Sequence, residues 1–157
     1  MTFCTVYDSP LGPLTLTSDG GNLTGLWMQT QHFDVSGLTR QDYLPLFTEV
    51  SEWLDAYFAG NPVATTFPLS PAGTAFQKQV WEILLTIPFG QTRSYGEIAR
   101  AIRPGMSPQA VGGAVGRNPI SIIIPCHRCV GANGQLTGYA GGLHNKRWLL
   151  RHEEEHK

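Results

Sequence analysis

Cys126 and His127 follow three isoleucines and a proline in the stretch Ile122–Gly142, IIIPCHRCVGANGQLTGYAGG. The isoleucine run reads as a buried strand, and it delivers a thiol and an imidazole to a glycine-rich loop. That arrangement presents a nucleophile; a packing cysteine does not need it. A thiol reacts as the thiolate, and with an ordinary pKa near 8.5 only about 3% is ionised at neutral pH, so an adjacent base matters. His127 is the neighbouring candidate. Successive side chains on extended backbone point to opposite faces, so the pair can cooperate only where the strand ends, or through a water. A catalytic imidazole also needs a carboxylate to fix its tautomer. The acids downstream are Glu153, Glu154 and Glu155, on a final helix that follows KRWLLRH.

Other chemistries compete for the same residues. A buried cysteine beside a structural histidine is the bland reading of any such pair. Cys126-His-Arg-Cys129 matches the C-x-x-C redox spacing, but a redox dithiol opens a helix, and this one follows a strand and enters a loop. A zinc site on Cys126 and Cys129 lacks a second ligand pair at metal spacing, and Cys4 has no cysteine nearby, so no metal is expected. A thiol hydrolase needs an oxyanion hole and turns over repeatedly.

The elements that must carry these groups are legible on both sides. TFCTVYDS, LGPLTLTS and LTGLWM read as three short strands separated by Pro-Leu-Gly-Pro and Asp-Gly-Gly turns, an antiparallel meander. Trp53, Leu54, Tyr57 and Phe58 recur at helical spacing over Val50–Phe58, and Gly60-Asn61-Pro62 stops that helix. FPLSPAG reads as a linker. Thr74 with Gln77 forms a capping box for a helix through Val80, Trp81, Leu84 and Leu85, which Pro88 ends. Ser94 with Glu97 repeats the pattern for a helix through Ile98 and Ile102. Ser107 then caps a helix that opens on Pro108 and runs to about Val115. Two short helices across a Pro104-Gly105 turn have the form of a helix-turn-helix.

That last helix, PQAVGGAVG, has almost no bulky side chain. Two interior glycines cost roughly 1 kcal/mol each relative to alanine, so close approach to another backbone is implied, either a second helix or a nucleic-acid groove. Charge favours the groove. Residues 1 to 75 carry one basic residue against seven acidic ones, a net of −6, whereas residues 76 to 157 carry ten against five, a net of +5. A basic half with Arg117 beside the glycine-rich helix suggests a polyanion-facing surface. With 157 residues and 41% hydrophobic content the chain can bury a core. It shows no apolar run of membrane length and no secretory pattern, so a cytoplasmic protein with reduced thiols is expected.

The segment Asn118–Glu153, NPISIIIPCHRCVGANGQLTGYAGGLHNKRWLLRHE, closely resembles the O6-alkylguanine-DNA alkyltransferases, direct-reversal repair proteins whose signature is Pro-Cys-His-Arg with an Asn-Pro upstream. The resemblance runs without gaps from about Thr74 to Glu153, and SPLGPLTL with the Trp53 helix is similar to the family's N-terminal part. It implies an α/β (α+β) N-terminal domain with a small antiparallel sheet over residues 1–68, and a linker at 69–73. A mostly helical domain with a winged-helix-like helix-turn-helix follows over 74–157.

The resemblance also implies roles. Cys126 is the alkyl acceptor in a single irreversible turnover, His127 the base that takes its proton through a water, and Glu153 the carboxylate that orients His127. Asn118 braces the turn linking the DNA-reading helix to the active-site strand, and Tyr95 donates to the departing guanine. Pro108–Gly116 is the recognition helix, lying in the minor groove of duplex DNA carrying alkylated guanine (or O4-alkylthymine). The implied DNA contacts are Ser94, Tyr95, Pro108, Gln109, Ala110, Gly112, Gly113, Val115, Gly116, Arg117 and Arg128. The implied walls of a flipped-base pocket are Tyr95, Val115, Cys129, Tyr139, Ala140 and Gly141. No cofactor is implied and the expected state is a monomer, with cooperativity on DNA left open. Two positions depart from the family pattern: Gln109 stands where an arginine is usual, and Cys129 where a valine or isoleucine is common. The alternative from another class is a damage-recognition protein of the alkyltransferase-like type, which lacks the acceptor cysteine; Cys126 argues against it.

Overall fold

A computed structural model describes residues 1–157. The first three strands lie where the alternation of apolar residues puts them, at β1 (Thr2–Ser9), β2 (Gly12–Ser18) and β3 (Leu23–Met28), paired as an antiparallel meander. Leu14 and Leu16 on β2 and Leu26 and Met28 on β3 alternate inward and are buried. The sheet is not purely antiparallel. A three-residue strand, β4 (Leu38–Arg40), joins it parallel to β1, giving the order β3-β2-β1-β4. So short a strand in a polar stretch leaves no periodic signal.

Helix α1 (Pro45–Phe58) begins five residues before the expected start. Pro45 occupies its first turn, where the missing amide costs nothing, and Leu46 and Phe47 extend the buried stripe of Val50, Trp53, Leu54 and Tyr57. The chain then runs as extended coil to α2 (Ala75–Leu84), whose capping box is formed by Thr74 and Gln77. The stretch read as a linker is tied to β3: Leu23 N–H donates to Pro68 O at 2.9 Å and Ser70 N–H to Leu23 O at 2.8 Å.

Helix α3 (Tyr95–Ile102) starts from the Ser94–Glu97 capping box, and α4 (Pro108–Gly116) from the Ser107 cap with Pro108 in the first turn. These helices pack on each other, and α2 packs on α4, where Trp81 Nε1 donates to Ala114 O at 2.8 Å. Helix α5 (Leu143–His156) closes the chain. A 28-residue apolar cluster runs continuously from Leu14 on β2 to Leu149 on α5. No helix is long and apolar enough to cross a membrane.

The strand expected at Ile122–Ile124 is absent. The isoleucines are buried but form consecutive tight turns, and Ile122 sits at φ 71°. A β-branched residue in the left-handed region is strained by roughly 1–3 kcal/mol, so something must hold it. That is Asn118: its amide donates to Ile124 O at 2.8 Å and to Ile120 O at 3.3 Å, and its Oδ1 accepts from Ile120 N–H at 3.0 Å. Two further bonds stitch the turn to β3, Leu26 N–H to Pro119 O at 2.9 Å and Ser121 N–H to Leu26 O at 3.1 Å. A side chain and a foreign strand claim the backbone groups that a ladder would need.

Candidate active site

Pro125 ends these turns, and Cys126–Arg128 form a single 3-10 turn before β6 (Cys129–Val130). β6 pairs in parallel with β5 (Arg93–Ser94), Arg93 opposite Cys129 and Ser94 opposite Val130. This two-strand link places Tyr95, the first residue of α3, over the acceptor turn. Because the turn is helical and not extended, Cys126 and His127 diverge around it instead of pointing to opposite faces.

His127 is fully buried, with Nε2 2.5 Å from Glu153 Oε2 and Nδ1 buried without a hydrogen-bond partner. A carboxylate only accepts, so the proton is on Nε2 and the free lone pair on Nδ1. Burial pulls the imidazole's proton affinity below its ordinary value, and Arg128 and Lys146 add to that against the opposing pull of Glu153. The ring is therefore a neutral base with one vacant acceptor atom. Burial alone would raise Glu153, but hydrogen bonds and charge from His127 and Arg128 overcome it and hold the carboxyl well below the usual range.

Cys126 is 4% exposed, and burial pushes its thiol up. Asn118, Tyr139, the Lys146 charge and its own backbone amide act in the opposite direction. The resting group is a protonated thiol that needs a base. The Tyr139 hydroxyl is buried beside it and Ser121, without a partner in hydrogen-bonding geometry.

A cleft of about 550 Å³ lies between α4 and the loop over residues 131–140, and Tyr95, Pro108, Gln109, Gly112, Val115, Gly116, Tyr139 and Ala140 line it. Apart from Gly112, which faces the Tyr95 ring at the start of α3, the glycines of α4 are not packed on another helix. A Cβ at Gly113 or Gly116 would meet nothing within 4 Å, and one at Gly112 would touch only the Tyr95 ring at 3.8 Å. The small residues thus leave an open helix face, on which Ala110 and Gly113 are also exposed. Arg117 is exposed at the C-terminal end of that helix, and the Ser94 hydroxyl caps α3.

Three expected positions are corrected. Arg128 does not face DNA: it is buried, donates through Nε and Nη2 to both Glu153 oxygens at 2.8 and 3.1 Å, and through Nη1 to Ile87 O at 2.6 Å. The buried carboxylate needs this counter-charge. Cys129 does not wall the cleft but is fully buried under it, its thiol pushed up to about 12 by burial. Gly141 does not line the cleft but is buried behind it, where a Cβ would meet Met28 Sδ at 2.3 Å and the Tyr139 ring at 2.7 Å, and its carbonyl accepts from Thr30 and Asn145.

One group escaped the sequence reading. Lys146 is fully buried, its Nζ donating to Cys129 O at 2.6 Å and Thr137 O at 3.1 Å, 5.9 Å from the centre of both the Tyr95 and Tyr139 rings. It ties the cleft loop to the acceptor turn and brings a positive charge toward the thiol. In HNKRW it looks like a surface residue beside Arg147, and no local signal separates the two. No three His, Cys, Asp or Glu side chains gather as metal ligands would.

Residues 75–155 match the family model for the 6-O-methylguanine DNA methyltransferase DNA binding domain, and residues 2–71 the model for that family's ribonuclease-like domain. The chain is 49% identical over 157 residues to a methylated-DNA–protein-cysteine methyltransferase of Mycobacterium leprae, covering 98% of this chain and 93% of the relative. It is 45% identical over 152 residues to the protein of the same name from Methanosarcina acetivorans, covering 94% and 96%. Among solved structures it is similar to Mycobacterium tuberculosis OGT in complex with DNA, with a TM-score of 0.90 and 48% identity over 98% of this chain and 94% of that one. On sequence and structure alike, the chain belongs to the 6-O-methylguanine DNA methyltransferase family.

Proposed function

We propose that this protein repairs alkylated DNA by moving the alkyl group of O6-alkylguanine irreversibly onto Cys126, as a methylated-DNA–protein-cysteine methyltransferase. The observation that carries this is a buried thiol followed in the same tight turn by a neutral imidazole whose only vacant atom is Nδ1, with a charged carboxylate on the imidazole's other nitrogen. Nδ1 takes the thiol proton through a water, and Glu153 stabilises the imidazolium that forms. The sulfur attacks the saturated alkyl carbon, a C–S bond forms, and the C–O electron pair leaves on guanine O6. Tyr95, between the cleft and the turn, donates its phenolic proton to the departing base. The product thioether is not hydrolysed and the neighbouring Cys129 thiol is fully buried and un-ionised, so each chain acts once.

A lesion inside a duplex is out of reach, so the base is rotated out at a cost of a few kcal/mol, recovered from phosphate contacts and pocket stacking. The open glycine face of α4 supports a reading of α3 and α4 as a winged-helix-like helix-turn-helix with α4 in the minor groove, where bulky side chains would not fit. Residues 74–157 then form the DNA-binding and acceptor domain, and 1–68 the N-terminal domain that buttresses it. The test is the mass of the intact protein, and of its Cys126 peptide, after incubation with a duplex containing O6-methylguanine. A gain of one CH₂ per chain on that peptide is expected. Repeated turnover, or an adduct elsewhere, would overturn the assignment.

Gln109 gives a second expected outcome. It is exposed at the lip of the cleft, its Oε1 accepting from Ser107 Oγ at 2.9 Å. Glutamine is shorter than arginine and uncharged, so it supports an extruded nucleotide less. Gln109→Arg is expected to speed repair of duplex DNA by about tenfold, equivalent to roughly 1.4 kcal/mol of support for the flipped state. Reaction with the free alkylguanine base should scarcely change. Rates on the two substrates, measured side by side, check this; equal acceleration on both would place the effect in the pocket or the thiol.

A further inference from the structure

Glu153 is held from four directions. His127 and Arg128 reach it from the acceptor turn, and Gly90 N–H donates to Oε1 at 3.0 Å from the loop after α2. The fourth donor comes from the other half of the chain: the Tyr57 hydroxyl on α1 donates to Oε2 at 2.7 Å. Tyr57 is 1% exposed, its ring 5.6 Å from Trp53, 5.7 Å edge-on to Phe89 and 5.3 Å from His152. Its own carbonyl pairs with His152 Nε2 at 2.7 Å, so one residue of α1 grips two consecutive residues of α5. Burial, and then the Glu153 charge, hold the phenol well above its ordinary range. At neutral pH it is therefore a proton donor.

We propose that Tyr57 is a positioning residue for alkyl transfer, whose hydroxyl shares Glu153 Oε2 with His127 and thereby sets how basic the imidazole is. This rests on the reading of His127 as the base. Oε2 accepts from three donors, His127 at 2.5 Å, Tyr57 at 2.7 Å and Arg128 Nη2 at 3.1 Å. Carboxylate charge drawn toward the phenol no longer stabilises an imidazolium. The groups that face His127 are Glu153, Arg128 and Lys146, with Cys126 beside it in the turn; among the first three only Glu153 favours the protonated ring. By tempering that one influence, Tyr57 keeps His127 neutral to lower pH. The second consequence is geometric: with Tyr57 on one oxygen and Gly90 on the other, the carboxylate cannot turn away when the imidazole becomes charged.

Tyr57→Phe keeps the ring and its stacking and removes only the donor. Two curves are measured on the full chain: the single-turnover rate of transfer from an O6-methylguanine duplex against pH, and the NMR titration of the His127 imidazole without DNA. In the variant the acid limb of the rate and the imidazole titration should both move to higher pH, by about half to one unit. The endpoint should stay at one alkyl group per chain. Were Tyr57 merely structural, the fraction of chains that become alkylated would fall while both curves coincided with wild type. Coincident curves, flat or sloping, or a shift to lower pH, overturn the proposal. The imidazole titration needs no alkylated DNA, so it tests Tyr57 independently; absence of a Cys126 adduct on the wild-type protein would count against the repair reading alone.

Discussion

Cys126→Ala is expected to abolish alkyl transfer while leaving affinity for duplex DNA within about twofold of wild type, since binding is dominated by phosphate contacts that this residue does not make. The loss should be complete, not partial. Cys129, three residues on, cannot substitute: it is fully buried, and with its thiol pushed up to about 12 it stays un-ionised at neutral pH. Cys126→Ser should be equally dead, because a hydroxyl in the same place is not ionised by an imidazole and is a poor nucleophile toward saturated carbon. Removing one sulfur from a well-packed position costs roughly 1 kcal/mol of stability, too little to unfold the chain, so DNA binding remains measurable. Binding isotherms and the mass of the intact protein give both halves of the answer. One alkyl group per chain on the alanine variant would show that another residue is the acceptor.

What the sequence shows of this site follows how locally each feature is determined. The capping boxes at Thr74–Gln77 and Ser94–Glu97 and the Ser107-Pro108 start are bonds within four residues, so the helices that carry Tyr95 and the cleft wall are readable from the chain. The isoleucine run fails as a strand because the decisive partner, the Asn118 amide, reaches across six residues to Ile124 O and traps the chain in turns. Arg128 reads as a DNA contact because a basic side chain next to an acceptor looks exposed, yet its partners Ile87 and Glu153 lie 41 and 25 residues away. Among Glu153, Glu154 and Glu155 the sequence offers three carboxylates. Of these three consecutive positions the helix turns only Glu153 inward, 1% exposed while the other two face solvent. The roles of Tyr95 and Glu153 came from the resemblance, not from periodicity. Lys146 and Tyr57, which composition marks as a surface cation and a core aromatic, acquire their contacts only when α5 docks against the acceptor turn and α1.

Glu153→Gln should combine a loss of stability with a loss of rate, for separable reasons. The wild-type carboxylate neutralises the buried Arg128 guanidinium, and removing one partner of a buried ion pair typically costs about 3–5 kcal/mol. The pH dependence has a fixed sign. The folded carboxyl titrates well below its ordinary range, whereas an unfolded glutamate titrates near about 4.3. Its contribution is therefore fully present above that pH and lost as the pH falls through the window below it. The glutamine variant has nothing to lose there, so the stability gap between the two proteins should be full at neutral pH and narrow in acid. Denaturant melts at a series of pH values measure it, and a gap that is absent at neutrality or constant with pH would mean that Glu153 is not the counter-charge. The rate falls for another reason. A glutamine that turns its amide NH₂ toward His127 Nε2 moves the ring proton to Nδ1, the only atom free to take the thiol proton. A glutamine that turns its oxygen inward keeps the tautomer but supplies no charge to stabilise the imidazolium. Either way general-base assistance is lost, which is worth about 10²–10⁴ in rate. Single-turnover transfer should slow by at least about a hundredfold while still reaching one alkyl group per chain, because Cys126 itself is intact; transfer at the wild-type rate would remove Glu153 and His127 from the reaction.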